Sequence, residues 1–289
     1  MESQMTDRYV TAGGLRMRYW SAGDQGTPIL LIHALACSVE FWGRVMEPLS
    51  KNHRVIALDL VGFGLSDKPN ATYSGAYLAR TVRDFLDELG IARVHLVGNS
   101  MGGAVSLQFA YDHPDRVESL VLVCAAGLGY AVGPGPRILS IPGIGEILAQ
   151  PRRKTSRRVV EACVYDRSVV SESLVEAVYR HGQTVGAARS LLRTVRSFIR
   201  PTGQREEVIA ENRAGFPRLR IPTLVLWGEK DRTIPADYLE AVKQIPHVTV
   251  HSFANCAHYP QLEVPGAFCE KLLHFLGNRP RDEGYAGPC

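Results

Sequence analysis

No stretch of about twenty consecutive apolar residues occurs in the chain, so a membrane-spanning helix is not expected. The first residues, Met1 to Arg8, are polar and mixed in charge and lack the apolar core of a secretory signal, which leads to the expectation of a cytoplasmic protein. Six cysteines stand at 37, 124, 163, 256, 269 and 289, with no C-x-x-C pair and no histidines at zinc-ligand spacing. That scatter argues against a disulfide framework and a structural metal site, and makes free thiols the default. Low-complexity segments and repeats are missing too, which removes fibrous, solenoid and tail-like architectures. The basic residues are not interleaved with aromatics as a nucleic-acid platform requires, so no nucleic-acid partner is expected.

What is present suits one large domain with an insertion. With 289 residues, 45% of them hydrophobic and 21% charged, the chain can bury most of its apolar surface without crosslinks or metals. The net charge of +4 is unevenly spread: residues 127–219 hold about twice as many basic as acidic side chains. Their densest cluster, Arg152-Arg153-Lys154-Thr155-Ser156-Arg157-Arg158, reads first as a solvated helix start and second as an attractor of acidic substrates or an anionic surface.

Short apolar runs alternate with helical patterns along most of the chain. Strands are predicted at Tyr9-Val10-Thr11 and Leu15 to Trp20, then at Ile29 to Ile32, Val55 to Leu58 and Val94 to Val97. Leu120 to Val123, Thr223 to Trp227 and Val248 to Phe253 complete the set, and helical periodicity covers 39–49, 75–90 and 103–110. Such alternation predicts an α/β fold with a mostly parallel sheet flanked by helices on both faces. Residues 127–219 break the rhythm, opening with a Gly/Pro-rich passage from Gly127 to Gly145. Helical patterns follow, and they place Val185, Ala188, Leu191, Leu192, Val195 and Phe198 on one face. An all-helical insertion is therefore expected to leave the sheet edge at which open α/β sheets bind ligands, and to cover it as a cap. The division that results is 1–126 and 220–280 for the two parts of the core, 127–219 for the cap, and 281–289 for a C-terminal tail.

The strongest chemical signal is Gly98-Asn99-Ser100-Met101-Gly102, a G-x-S-x-G pentapeptide between an apolar run and a helical pattern. A strand that reverses into a helix over so few residues needs glycines at the close approaches, and it leaves the serine exposed on a strained turn beside helix-start amides. A serine hydroxyl is a poor nucleophile near neutral pH and requires a base held by an acid. His258, beyond the last strand, and Asp231, beyond the strand before it, emerge at the same sheet edge as Ser100. Their order along the chain, Ser100, Asp231, His258, is the order stated for hydrolases built on this type of sheet.

With these motifs the chain resembles the α/β-hydrolase fold superfamily, in the subgroup with a helical cap, and is also similar to the meta-cleavage product C–C hydrolases. The likeness spans nearly the whole chain and rests on His33-Ala34-Leu35, Asp59-Leu60-Val61-Gly62-Phe63-Gly64-Leu65-Ser66-Asp67, the serine turn, Trp227-Gly228-Glu229-Lys230-Asp231 and His258-Tyr259-Pro260. The resemblance implies an eight-stranded sheet and selects Asp231 over the neighbouring Glu229 as the triad acid. It also implies an oxyanion hole made by the amides of Met101 and Leu35. His33 would brace that loop, Asp59 would be structural, and Cys37 and Cys256 would be packing residues. Where the family has His-Gly this chain has His33-Ala34, which bears on the Leu35 assignment because alanine resists a positive φ.

The function expected from these parts is serine hydrolysis of a carboxylic ester through an acyl-enzyme, on a small-molecule acyl substrate and with no cofactor or metal. The main alternative is carbon–carbon bond hydrolysis of vinylogous diketones from aromatic ring cleavage. Against it stand Ala34-Leu35-Ala36-Cys37 in place of a glycine-rich loop, and Tyr259 where a tryptophan often follows the histidine. Lactonase, thioesterase and acyltransferase activities share the triad, and a ligand receptor is the non-enzymatic alternative. Dehalogenase and epoxide-hydrolase chemistry would want a carboxylate at Ser100. A second copy of the chain, as a homodimer, is an open partner.

Overall fold

Fully apolar runs of four to seven residues cannot present one face to water, so they stack into a sheet buried on both sides. The computed structural model, which describes residues 5–277, shows this arrangement. The chain runs β1 (Arg8–Ala12), β2 (Leu15–Ala22), β3 (Ile29–Ile32), α1 (Gly43–Ser50), β4 (Val55–Leu58), α2 (Gly75–Glu88), β5 (Val94–Asn99), α3 (Met101–Asp112) and β6 (Val117–Val123). A long insertion follows: α4 (Pro134–Leu139), α5 (Ile144–Leu148), α6 (Arg153–Glu161), α7 (Glu172–Gly182), α8 (Ala187–Phe198), β7 (Ile199–Arg200), β8 (Gly203–Gln204) and α9 (Glu206–Gly215). The core then resumes with β9 (Thr223–Gly228), α10 (Leu239–Val242), β10 (Val248–Phe253), α11 (Pro260–Glu263) and α12 (Pro265–Gly277). The tail assigned to 281–289 lies outside the described residues.

Eight strands form one sheet in the order β1-β2-β4-β3-β5-β6-β9-β10, parallel except where β2 meets β1 and β4. Because side chains alternate along a strand, each run feeds two cores. Leu30, Ile32, Leu96 and Leu120 join α2 and α3 on one face, while Ile29, Leu31, Val97 and Val121 join α1 and α12 on the other. Register sets the site. Ile32 pairs with Gly98, Asn99 with Val123 and Gly228 with Phe253, so the loops after β3, β5, β9 and β10 leave the sheet at a common edge.

The insertion differs from its sequence reading in two details. It is not wholly helical, because β7 and β8 form a short antiparallel ladder. Val185, expected on the buried face of a helix, is 96% exposed: Gly186 sits in the left-handed region at φ 87° and the helix begins after it, at Ala187. Leu192, Val195 and Phe198 on that helix are buried. A third apolar cluster joins Val160, Val164, Leu174 and Val175 of the insertion to Ala34, Phe41, Tyr259 and Leu262 of the core loops.

Candidate active site

Ser100 occupies the turn between β5 and α3 with φ 55° and ψ −116°, a conformation that costs a non-glycine residue free energy and is held by its surroundings. Its amide donates to the Val123 carbonyl at 2.9 Å, and its own carbonyl accepts from Gly103, Ala104 and Ala126 at 2.9, 3.2 and 3.0 Å. The turn closes because its flanking glycines have no side chain. A Cβ on Gly98 would meet the Gly102 carbonyl oxygen and the Ser106 hydroxyl, and one on Gly102 would meet the Ile32 carbonyl oxygen.

Asp231 and His258 come together as a buried pair: Nδ1 of His258 lies 2.7 Å from Oδ2 of Asp231. The other carboxylate oxygen of Asp231 accepts from the amides of Thr233 and Ile234 at 2.7 and 3.0 Å, which fixes the carboxylate plane. An ionised carboxylate only accepts, so Nδ1 carries the proton and Nε2 offers a lone pair. Glu229, the neighbouring acid, instead accepts from the Ser252 hydroxyl at 2.9 Å at the exposed side of the strand end. Ser100 lines the same cavity as Asp231 and His258. Among the hydrogen bonds of the described residues there is none between the Ser100 hydroxyl and the imidazole, a contact that often closes only once substrate is bound.

Met101 and Leu35, expected as oxyanion donors, both line that cavity. Among the described residues neither amide is taken by another acceptor. Ala34 is not among the positive-φ residues, so alanine fits there; the left-handed residue of this loop is Ala36, at φ 59°, and the Ala34 carbonyl is engaged twice. It accepts from the Cys37 amide at 3.2 Å and from Nδ1 of His33 at 2.7 Å. Nε2 of His33 accepts from the Leu60 amide at 3.1 Å, so this imidazole links the loops after β3 and β4. Burial pushes its pKa down to about 4 against the pull of the Ala34 carbonyl, and the ring is neutral at pH 7. Asp59 is structural in geometry: it accepts from the Val39 and Leu65 amides at 2.8 Å each and lies 3.1 Å from the Arg18 guanidinium.

Several positioning contacts were not legible beforehand. Nδ2 of Asn99 donates to the carbonyls of Val123 and His258 at 3.0 and 3.1 Å, and its Oδ1 accepts from Gln261, tying the serine turn to the histidine loop. The His258 amide donates to the Cys163 carbonyl at 3.0 Å, and the Glu263 carboxylate accepts from the Tyr165 amide at 2.6 Å and the Ala257 amide at 2.9 Å. The only available signal was the position of Asn99 beside the serine. Cys37, with its sulfur 3.5 Å from the Tyr259 hydroxyl, is buried, and burial pushes its thiol pKa up, as it does for Cys124, Cys163 and Cys256. These groups stay protonated and are poor nucleophiles. Ligand atoms of Cys124, Asp231 and His258 lie within 4.8 Å of one another, but the carboxylate and Nδ1 are already committed to each other.

The cavity between the sheet edge and the insertion has a volume of about 1000 Å³. Val132, Leu139, Val178, Leu191 and Phe198 give it an apolar wall, and Lys68, His181 and Gln204 add polar groups. Among the described residues no helix is long and apolar enough to cross a membrane.

Sheet order, strained serine and paired acid and histidine define an α/β hydrolase, and the chain belongs to the alpha/beta hydrolase family, whose model matches residues 29–271. It is 33% identical over 278 residues to the 2-hydroxy-6-oxo-2,4-heptadienoate hydrolase of Pseudomonas putida, covering 93% of this chain and 95% of that protein. It is 31% identical over 274 residues to the 2-hydroxymuconate semialdehyde hydrolase of a Pseudomonas species, covering 93% of each. Among solved structures, a meta-cleavage product hydrolase from Pseudomonas fluorescens superposes with a TM-score of 0.78 at 27% identity, covering 93% of this chain and 97% of that one.

Proposed function

We propose that this hydrolase cleaves a carbon–carbon bond beside the ketone of a vinylogous diketone acid, the class of compound produced by aromatic ring fission. The single observation that carries the reading is the full-length similarity to relatives named for hydrolysing 2-hydroxy-6-oxo dienoates and their kin. Ser100 is the nucleophile, His258 the base, Asp231 its orienting acid, and the amides of Met101 and Leu35 the oxyanion donors. Residues 127–219 act as the cap that closes the cavity over them.

His258 Nε2 takes the hydroxyl proton as the Ser100 oxygen adds to the ketone carbon, and the two amides hold the negative oxygen. Collapse of that intermediate breaks the bond to the neighbouring carbon. A carbon leaves only if the electron pair it keeps is delocalised, and the second carbonyl of the vinylogous system supplies that delocalisation. His258 returns the proton to the departing fragment. Water, activated by the same imidazole, then releases the acyl group as a carboxylic acid.

A second reading, ester hydrolysis, is favoured by Ala34-Leu35-Ala36-Cys37 and Tyr259, where the C–C hydrolases tend to carry a glycine-rich loop and a tryptophan. The two readings share every step except the leaving atom. Assaying a ring-fission dienoate by loss of its chromophore beside a p-nitrophenyl ester series separates them. We expect kcat/KM for the dienoate to exceed that of the best ester by about a hundredfold, and Ser100→Ala to lower both by at least about a thousandfold with the fold intact. Faster turnover of esters would move the assignment to an esterase, and Ser100→Ala activity within tenfold of the parent would remove the serine mechanism.

A further inference from the structure

The basic segment set aside as a solvated helix start has a more specific setting in the structure. Residues 134–158 carry six cations against one anion, a net of +5, and are interrupted by apolar residues that remain in water. Ile144, Ile147 and Leu148 of α5 are 46%, 72% and 49% exposed, and Val159 of α6 is 49% exposed. Neighbouring large aliphatic side chains left exposed on a short helix have no packing role in the isolated chain.

The turn of α6 sorts its residues by direction. Ser156 and Val160 are buried against the protein. Arg153 and Arg157 lie on the flank toward α7, where they are neutralised by Glu172 and Glu176, and by Glu161 and Glu172, respectively. Lys154 and Arg158, four residues apart, occupy the outermost face, and among the described residues no carboxylate lies within 4 Å of either. On the remaining flank, Thr155 and Val159 line the catalytic cavity, as do Leu148, Gln150 and Arg152. All five are exposed as well, so the cavity is bordered at the surface by α5, α6 and the segment between them, the same elements that carry the unburied aliphatics and the unpaired cations.

From this arrangement we propose that the α5–α6 face docks on an anionic phospholipid bilayer, with Ile144 and Ile147 entering the headgroup boundary and Lys154 and Arg158 meeting the lipid phosphates. Exposed aliphatics beside unpaired cations are the two features by which a surface helix binds charged membranes without spanning them. The mouth of the cavity then lies beside the bilayer surface. Docking does not depend on which bond Ser100 cleaves.

The test is flotation of the full-length protein with vesicles of phosphatidylcholine alone or with about 30 mol % phosphatidylglycerol, at about 0.1 M and about 1 M salt. Two double variants outside the cavity, Ile144→Asp with Ile147→Asp and Lys154→Glu with Arg158→Glu, are measured alongside. Circular dichroism and turnover of a water-soluble substrate report their folding. The proposal expects binding to the anionic vesicles only, loss of about tenfold or more in each variant, and release of the parent at high salt, where charges are screened within about 3 Å. Equal recovery from both vesicle types, or variants that bind as well as the parent, would overturn it. So would a concentration-dependent dimer that Ile144→Asp with Ile147→Asp dissolves, since a second copy would then be the occupant of this face.

Discussion

His33 shows how much one buried side chain can contribute to the site without touching substrate. Its ring spans two loops, donating to the Ala34 carbonyl and accepting from the Leu60 amide, a pairing available only to the neutral tautomer with its proton on Nδ1. The folded protein holds its pKa at about 4, below the ordinary value of 6.5, so the unfolded chain binds a proton more readily throughout the interval between them. Folding stability from this group is therefore complete above pH 6.5 and is lost as pH falls toward 4, by about 2 kcal/mol at pH 5. Urea unfolding of the parent and His33→Gln at pH 7.5 and pH 5 should show the parent losing that amount more than the variant. Equal losses would mean that the ring is not the group that charges. The motif of apolar strand, histidine and small residue was readable in sequence. The direction of its proton was not, because it depends on Leu60, which lies 27 residues away.

At the scale of elements, the strands were legible because each is a short apolar run whose two faces must both be covered. The serine turn was legible because its glycines are dictated by contact rather than by preference. Gly102, the second residue of α3, lies against the end of β3, and a methyl group there would run into the Ile32 carbonyl oxygen, a backbone atom that cannot rotate away. Gly102→Ala should therefore move the helix start relative to the Met101 amide, reducing kcat at least about a hundredfold and stability by about 2 kcal/mol or more. Full activity in steady-state assays of a folded Gly102→Ala protein would show that the approach is looser than the geometry implies. The insertion was less legible. Its periodicity was visible, but the start of α8 was placed too early because apolar Val185 fits the helical spacing, whereas the left-handed Gly186 that follows it decides the boundary. The pair β7 and β8 is two residues long on each side, too short for any alternation to announce it.

For the whole molecule, convergence of Ser100, Asp231 and His258 on one edge follows from strand order and register; the alternating pattern implies a largely parallel sheet whose loops share an edge, but not that order or register. What no pattern could show is how the insertion is fastened to the loop that carries His258. Glu263, at the end of α11, accepts from the Tyr165 amide on one side and the Ala257 amide on the other. The His258 amide reaches the Cys163 carbonyl two residues away from Tyr165. One carboxylate thus sets the spacing between residues 163–165 of the insertion and the imidazole, which makes Glu263 a positioning residue rather than a catalytic one. Removing it leaves the amides of Tyr165, Ala257 and Tyr259 without this acceptor, a cost of about 1 to 3 kcal/mol for each that water cannot reach, and lets the histidine loop shift. Glu263→Ala should lower kcat by about ten- to a hundredfold while KM changes less than about threefold, because orientation at the reacting atoms fails before the cavity does. Glu263→Gln keeps an acceptor oxygen for only one side, because the Tyr165 amide meets Oε2 and the Ala257 amide meets Oε1, and should restore only part of the loss. A parallel rise in KM in both variants would instead mean that Glu263 shapes the cavity wall, and an unchanged kcat in Glu263→Ala would show that the histidine loop holds its place without the insertion.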